Sequence, residues 1–245
     1  PLIIEKIRKT CISDVKMVKR RIAPSYSPYF VGIVALFITT LIIANITAVK
    51  LIMVAGVIVP AAVMIFPVSY ITGDVLTEVY GYSRARRVIW LGFMCNLVAV
   101  GAIWLGQILP PGPFWDGQAA YERVLGYTPR LLTASFLAYL IGEFFNAYVM
   151  AKLKILTAGR WLWTRTVSST LIGQGLDSLV FIAVAFAGTI PVKTLALIVL
   201  TQWLLKCAYE AAATPFTYWA VRFLKRREGV DVYDHHTRFN PLTLK

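Results

Sequence analysis

Apolar stretches about twenty residues long recur along this chain, and in each of them apolar side chains occupy every helical face. Six such runs stand out: Tyr29–Val49, Val57–Gly73, Val88–Leu109, Leu131–Ala151, Thr166–Ile190 and Val192–Val221. A hydrocarbon core about 30 Å thick takes roughly 20 apolar residues per helical crossing, so each run predicts one membrane-spanning helix. The last is long enough to project beyond the bilayer. A β-barrel is excluded, because barrel strands alternate polar and apolar positions. The first run follows 28 mostly polar residues and lacks a small-x-small cleavage site, which makes it a retained span and not a signal peptide. The expected fold class is therefore all-α: a polytopic membrane protein built as a six-transmembrane-helix bundle.

Charge then orients the bundle. Of the 25 Lys and Arg residues, 20 fall in Pro1–Pro28, Ser83–Arg87, Lys152–Arg165 and Arg222–Lys245. The opposite side holds Lys50, Arg123, Arg130 and Lys193, and Lys206 lies within a span. With six spans every basic stretch shares one face, as the positive-inside bias requires. A count of five or seven would split the basic start from the basic tail. Both termini are expected in the cytoplasm, with a basic N-terminal segment (1–28), a transmembrane domain (29–221) and a basic tail (222–245). Pro110–Arg130 is the long outer loop, where Pro110, Pro111, Gly112 and Pro113 break the helix and Phe114, Trp115, Tyr121 and Tyr127 suit an interfacial cap.

Bulk composition agrees. Apolar residues make up 58% of the chain and charged residues 15%, with a mean hydropathy of +0.67. A soluble domain cannot bury that much apolar surface. The net charge of +13 is accounted for by membrane orientation and not by nucleic acid. Cys11, Cys95 and Cys207 have neither metal nor redox spacing. His235-His236 in the tail cannot form a metal site alone and suit a solvated segment.

Several residues do not belong in lipid. An ionisable group inside a span costs about 2.5–3.5 kcal/mol on insertion scales, so it usually faces a cavity or a partner. Glu143 and Asp177 lie eleven to twelve residues into the fourth and fifth spans, which at ~1.5 Å per residue puts both near the midplane. Lys206 in the sixth span reaches a similar level, and Glu210 follows one turn further in. Asn146 follows Glu143 at i+3, and Gln174 precedes Asp177 at i−3, with Gly173 opening space beside it. Three polar helix faces at one depth are what a substrate cavity needs. Helix–helix hydrogen bonding is the plainer role for Glu143 and Asp177, and a structural ion pair the plainer role for Lys206 with Glu210. In the second span Pro67 is expected to kink or break the helix beside Phe66 and Tyr70. Asp74 and Glu78 share a face near the cytoplasmic end, where they line the pocket or pair with Arg84, Arg86 or Arg87.

Read together, Phe66-Pro67-Val68-Ser69-Tyr70-Ile71-Thr72-Gly73-Asp74-Val75-Leu76-Thr77-Glu78-Val79-Tyr80-Gly81, the run from Ala138 to Asn146, Arg165 through Ser168-Ser169 to Gly173, Asp177 and Phe181, Thr214-Pro215, and Asp231-Val232-Tyr233-Asp234 with Phe239-Asn240-Pro241 resemble the queuosine precursor transporter family. The resemblance extends from about Tyr29 to Leu242. It implies a bundle related to vitamin uptake transporters and to substrate-binding subunits of energy-coupling-factor importers. It also implies import of 7-cyano-7-deazaguanine (preQ0) and 7-aminomethyl-7-deazaguanine (preQ1), with queuine a further candidate, across the bacterial inner membrane for tRNA queuosine salvage.

The residues suit such a ligand. A deazaguanine presents N1–H and N2–H₂ on one edge, which a carboxylate accepts side by side. Its flat ring favours stacking on Phe66, Tyr70, Tyr139, Phe144 or Phe181. The expected substrate-binding set is Glu143, Asn146, Asp177, Gln174, Phe66, Tyr70, Asp74, Glu78, Phe181, Lys206 and Glu210. No cofactor or metal is expected. The expected partners are the small molecule, the bilayer and further copies of the chain, and no nucleic acid. The chain lacks G-x-x-x-x-G-K-[ST] and so hydrolyses no ATP itself. An alternative is the substrate-capture subunit of an ATP-driven importer. A membrane enzyme is disfavoured, since no span contains a His.

Overall fold

The computed structural model describes residues 26–54, 57–126, 129–189 and 191–243. Most of the basic N-terminal segment, Tyr127 and the last two residues thus lie outside the described residues. The fold is almost wholly helical: α1 (Pro28–Thr47), α2 (Phe66–Tyr80), α3 (Tyr82–Ile108), α4 (Gln118–Leu125), α5 (Pro129–Leu156), α6 (Leu162–Phe186) and α7 (Val192–Glu228). Among the described residues five stretches are long and apolar enough to cross a membrane: α1, α3, α6, α7 and the stretch that contains α4 and α5. The chain is a multi-pass helical membrane protein.

The second predicted span departs from expectation. It is not one helix. β1 (Leu51–Val54) and β2 (Val57–Pro60) form an antiparallel hairpin in which Leu51 faces Pro60 and Val54 faces Val57. A 3₁₀ turn, Ala61–Met64, then leads into α2. At ~1.5 Å per residue the 15 residues of α2 reach about 22 Å, short of a full crossing. Pro67 therefore kinks nothing. It sits in the first turn of α2, where its missing N–H has no intrahelical partner to lose.

Contacts at one end fix the directions of the segments. Ser27, the N-cap of α1, accepts from the Phe30 N–H (3.0 Å) and donates its hydroxyl to Glu228 at the end of α7. Glu78 near the end of α2 meets Lys154 at the end of α5, Arg165 at the start of α6 and Lys225 at the end of α7. Gly81 turns the chain from α2 into α3 with φ +82° and ψ 164°, a conformation essentially confined to glycine, and a Cβ there would lie 2.7 Å from Val232. Lys and Arg side chains thus gather where α2, α5 and α7 end and α3 and α6 begin. The opposite end holds the hairpin and α4, a short helix not foreseen within the long loop. The α4 residue Tyr121 donates to the Ile103 carbonyl at 3.0 Å.

The segment after α7 is packed against the bundle. Asp234 is buried and accepts from the Tyr82 N–H (2.9 Å), capping α3, while Arg86 donates to the Arg238 and Asn240 carbonyls at 2.9 and 2.7 Å. Trp90 donates to the Pro241 carbonyl at 2.8 Å. Asp234 is buried within this segment, while His235 and His236 are exposed. The tail is thus a docked element with two exposed histidines and not a solvated strand of chain.

The apolar core lies nearer the basic end, where Phe37, Leu76, Val79, Tyr82 and Met150 are fully buried among α1, α2, α3 and α5. Between α5 and α6 the backbones themselves touch. A Cβ on Gly142 would lie 2.8 Å from the Cβ of Asp177, and one on Gly173 would lie 2.7 Å from the Cβ of Asn146. Small residues permit this approach, and the two helices gain dispersion contact that side chains would block. Gly173→Ala is therefore expected to destabilise by about 1–3 kcal/mol, the usual cost of overpacking. Gly101→Ala in α3, where nothing lies within 4 Å, should be neutral or stabilising. Thermal melting of both variants in detergent checks this, and equal melting temperatures would count against a close-packed crossing.

Candidate functional site

The Gly142–Gly173 crossing holds the next residue along α5, Glu143, and the next turn of α6, Asp177, beside one internal cavity of about 410 Å³. That volume falls in the range of small-molecule sites. α2 contributes Phe66 and Tyr70, α6 adds Gln174 and Phe181, and α7 adds Lys206. The cavity continues past Asn45, Val49, Pro60 and Leu131 toward the end of the bundle that carries the hairpin. The irregular backbone before α2 thus borders a cavity, the situation in which non-helical chain is tolerated at membrane depth.

Lys206 forms an ion pair with Asp177 across the α6–α7 interface, and both side chains remain about one-fifth to one-quarter exposed (21% and 24%). The pairing of Lys206 with Glu210 does not form. Glu143 is partly exposed on the cavity wall and has no hydrogen-bond partner among the described residues. Phe66 and Tyr70 stack with their rings 5.9 Å apart and nearly parallel (4°), so they present a flat face. Tyr139, also on the wall, is fixed by donating its hydroxyl to the Ile89 carbonyl at 3.0 Å. An aromatic face can stack on a flat ring, and a carboxylate can accept from N–H donors.

Four residues of the expected set lie off the cavity wall. Asn146 donates to Asp74 at 3.0 Å, with both side chains buried. Glu210 is buried with neither carboxylate oxygen hydrogen-bonded. Glu78 belongs to a separate ion cluster at the basic end and does not pair with Arg84, Arg86 or Arg87. Its Oε1 lies 2.8 Å from both Arg165 and Lys225 and 3.8 Å from Lys154. Lys154 also donates to the Glu78 and Val232 carbonyls and to Asp231 at 2.6 Å. Asp231 bonds Lys225 as well, at 2.9 Å. Partial burial alone would raise the Asp231 carboxyl, but the two ammonium groups outweigh it and hold the group below its ordinary value.

Sequence reasoning missed this cluster because the cations that meet Glu78 lie 76 to 147 residues further along the chain. Lys154 and Lys225 looked like orientation charges. The usable signal was Arg165 and Asp231, which recur in the family-like motifs without any assigned partner.

A multi-pass helical bundle with a cavity walled by a carboxylate, an ion pair and a stacked aromatic face has the architecture of a membrane protein with a small-molecule site. The chain belongs to the family described as "Putative vitamin uptake transporter", which matches residues 60–220. This is a family of transporters and not of enzymes. Over 187 residues the chain is 30% identical to a "Probable queuosine precursor transporter" of Bacillus subtilis (strain 168), covering 76% of this chain and 81% of that protein. It is 28% identical to the "Queuosine precursor transporter" of Escherichia coli (strain K12), over 49% of this chain and 52% of that protein. No solved structure matches significantly.

Removing the charge of Glu78 would leave three cations facing Asp231 alone. Glu78→Gln should therefore cost about 3–5 kcal/mol, the range for breaking a buried ion pair. Detergent melting measures it, and a wild-type melting temperature would show that the cluster contributes nothing.

Proposed function

We propose that this chain imports a queuosine precursor, preQ0 or preQ1 with queuine a further candidate, across the bacterial inner membrane for tRNA queuosine salvage. The observation that carries the reading is the unpartnered Glu143 carboxylate on a cavity wall that also holds the Phe66–Tyr70 face, in a chain whose relatives are named for these precursors. Glu143 accepts from the N1–H and N2–H₂ edge, the aromatic face stacks on the ring, and Gln174 with the Asp177–Lys206 pair serves the carbonyl side and the 7-substituent. Asn146 and Asp74 support this layer from beneath.

In this reading the hairpin and α2 together make the sixth crossing. All basic ends then face the cytoplasm with both termini, and the cavity opens toward the outside. The transmembrane domain is 29–221, and the docked tail closes its inner end. Reporter fusions at Lys245 and within Pro110–Arg130 should report opposite sides, and activity of a periplasm-only reporter at Lys245 would sink the six-crossing topology.

The direct test is uptake of labelled preQ1 by proteoliposomes containing this chain alone. Glu143→Gln and Asp177→Asn should each weaken binding roughly ten- to hundredfold, from the loss of about 1.5–3 kcal/mol per charge-assisted contact. Unchanged binding in both would return these residues to helix–helix bonding. Uptake that requires an added ATP-hydrolysing partner would make the chain the capture subunit of an energy-coupling-factor-type importer.

A further inference from the structure

We infer that Asp74 and Glu210, with the side-chain amides of Asn146 and Gln174, form a proton-binding site between the cavity and the basic-end ion cluster. The site rests on unmet hydrogen-bond acceptors. Asp74 and Glu210 are each 1% exposed, Asn146 is 9% exposed and Gln174 is 7% exposed. Asp74 Oδ2, both Glu210 carboxylate oxygens, Asn146 Oδ1 and Gln174 Oε1 are all buried without a partner. Asn146 spends its amide N–H on Asp74 Oδ1, so its carbonyl oxygen stays beside the carboxylate with nothing to accept. Acceptors outnumber donors here, and a proton on a carboxylate converts one acceptor into a donor. Leaving such groups unmet in a low-dielectric interior costs several kcal/mol, and an unpaired charge costs more.

The charges facing this site strengthen the case. Glu210 interacts electrostatically with Asp74 and Glu143. On its own helix Asp74 has Glu78 one turn away and Tyr70 one turn back. From α5 comes Glu143, and from α6 and α7 the Asp177–Lys206 pair, in which the lysine is already matched. α1 contributes no charged residue, and the charged residues of α3 are Arg84, Arg86 and Arg87, all in its first two turns. Arg165, Lys154 and Lys225 are engaged by Glu78 and Asp231. Among the described residues no Lys or Arg forms an ion pair with Asp74 or Glu210.

Gln174 both lines the cavity and belongs to the buried group, so it joins the two. A proton entering with the water of the cavity binds one carboxylate oxygen of the Asp74–Glu210 pair and is released when the basic end opens. Nothing is oxidised or reduced. The binding site does not depend on which substrate the cavity takes; only its use in transport rests on the proposed function.

The test is infrared spectroscopy of the full chain in liposomes at neutral pH. A protonated-carboxyl band that shifts in deuterated water is expected in the wild type and should shrink in Glu210→Gln and Asp74→Asn. No such band in the wild type, or an undiminished band in both variants, overturns the site. A carboxylate band that instead shifts on adding sodium chloride, with no protonated band, also overturns it in favour of a metal cation.

A second arm uses preQ1 uptake under an outside acid pulse of one pH unit. Wild-type uptake should accelerate by up to about tenfold, the driving force in that pulse, while Glu210→Gln uptake should not respond. Equal responses overturn coupling through this site. Vesicles that take up no base at all overturn the substrate reading and leave the infrared band to decide the site.

Discussion

Glu78 sits at 1% exposure with three cations from three other helices around it, and the closed end of the bundle is organised by that arrangement. A lone carboxylate there would be untenable in lipid, and so would any of the cations. Their mutual attraction is strong only because the geometry is complete, with Arg165 using two nitrogens and Lys154 adding backbone carbonyls. Each partner therefore requires the others. The same contacts place α5 against α6, which lets Gly142 and Gly173 meet and sets Glu143 and Asp177 on one cavity.

The long helices were legible because hydrocarbon demands length and apolarity, and the ends of α1, α3, α5, α6 and α7 lie within seven residues of the expected ones. The second run was not, because hydropathy does not distinguish a buried helix from a buried hairpin. Val57–Gly73 is as apolar as its neighbours, yet Pro60 and Pro67 bracket a strand end and a helix start. The docked tail was hidden for a different reason. Asp234 and Arg86 are ordinary surface residues in composition, and only their positions across the fold make one a helix cap and the other a clamp on tail carbonyls.

At the site, depth arithmetic brought Glu143, Asp177 and Lys206 to one level, i−3 spacing added Gln174, and the structure puts all four on the cavity wall. The same arithmetic could not rank neighbours by direction. Asn146 and Glu210 share the polar stripes but turn away from the cavity, because helical spacing fixes a face only to within the width of several side chains. The choice of Lys206 for Asp177 across a helix interface, in place of Glu210 along its own helix, was likewise invisible in one dimension.

The shortness of α2 has a consequence for how the protein is assembled. α2 carries Asp74 and Glu78 on a helix of 15 residues, too short and too acidic to settle in a bilayer unaided. The cations that answer Glu78 come 76, 87 and 147 residues later. Lys154 and Arg165 come from α5 and α6, and Lys225 from α7 completes the set. The cluster around Glu78 is in this sense closed by the final helix, and a chain interrupted before Lys225 would leave Glu78 with Lys154 and Arg165 alone.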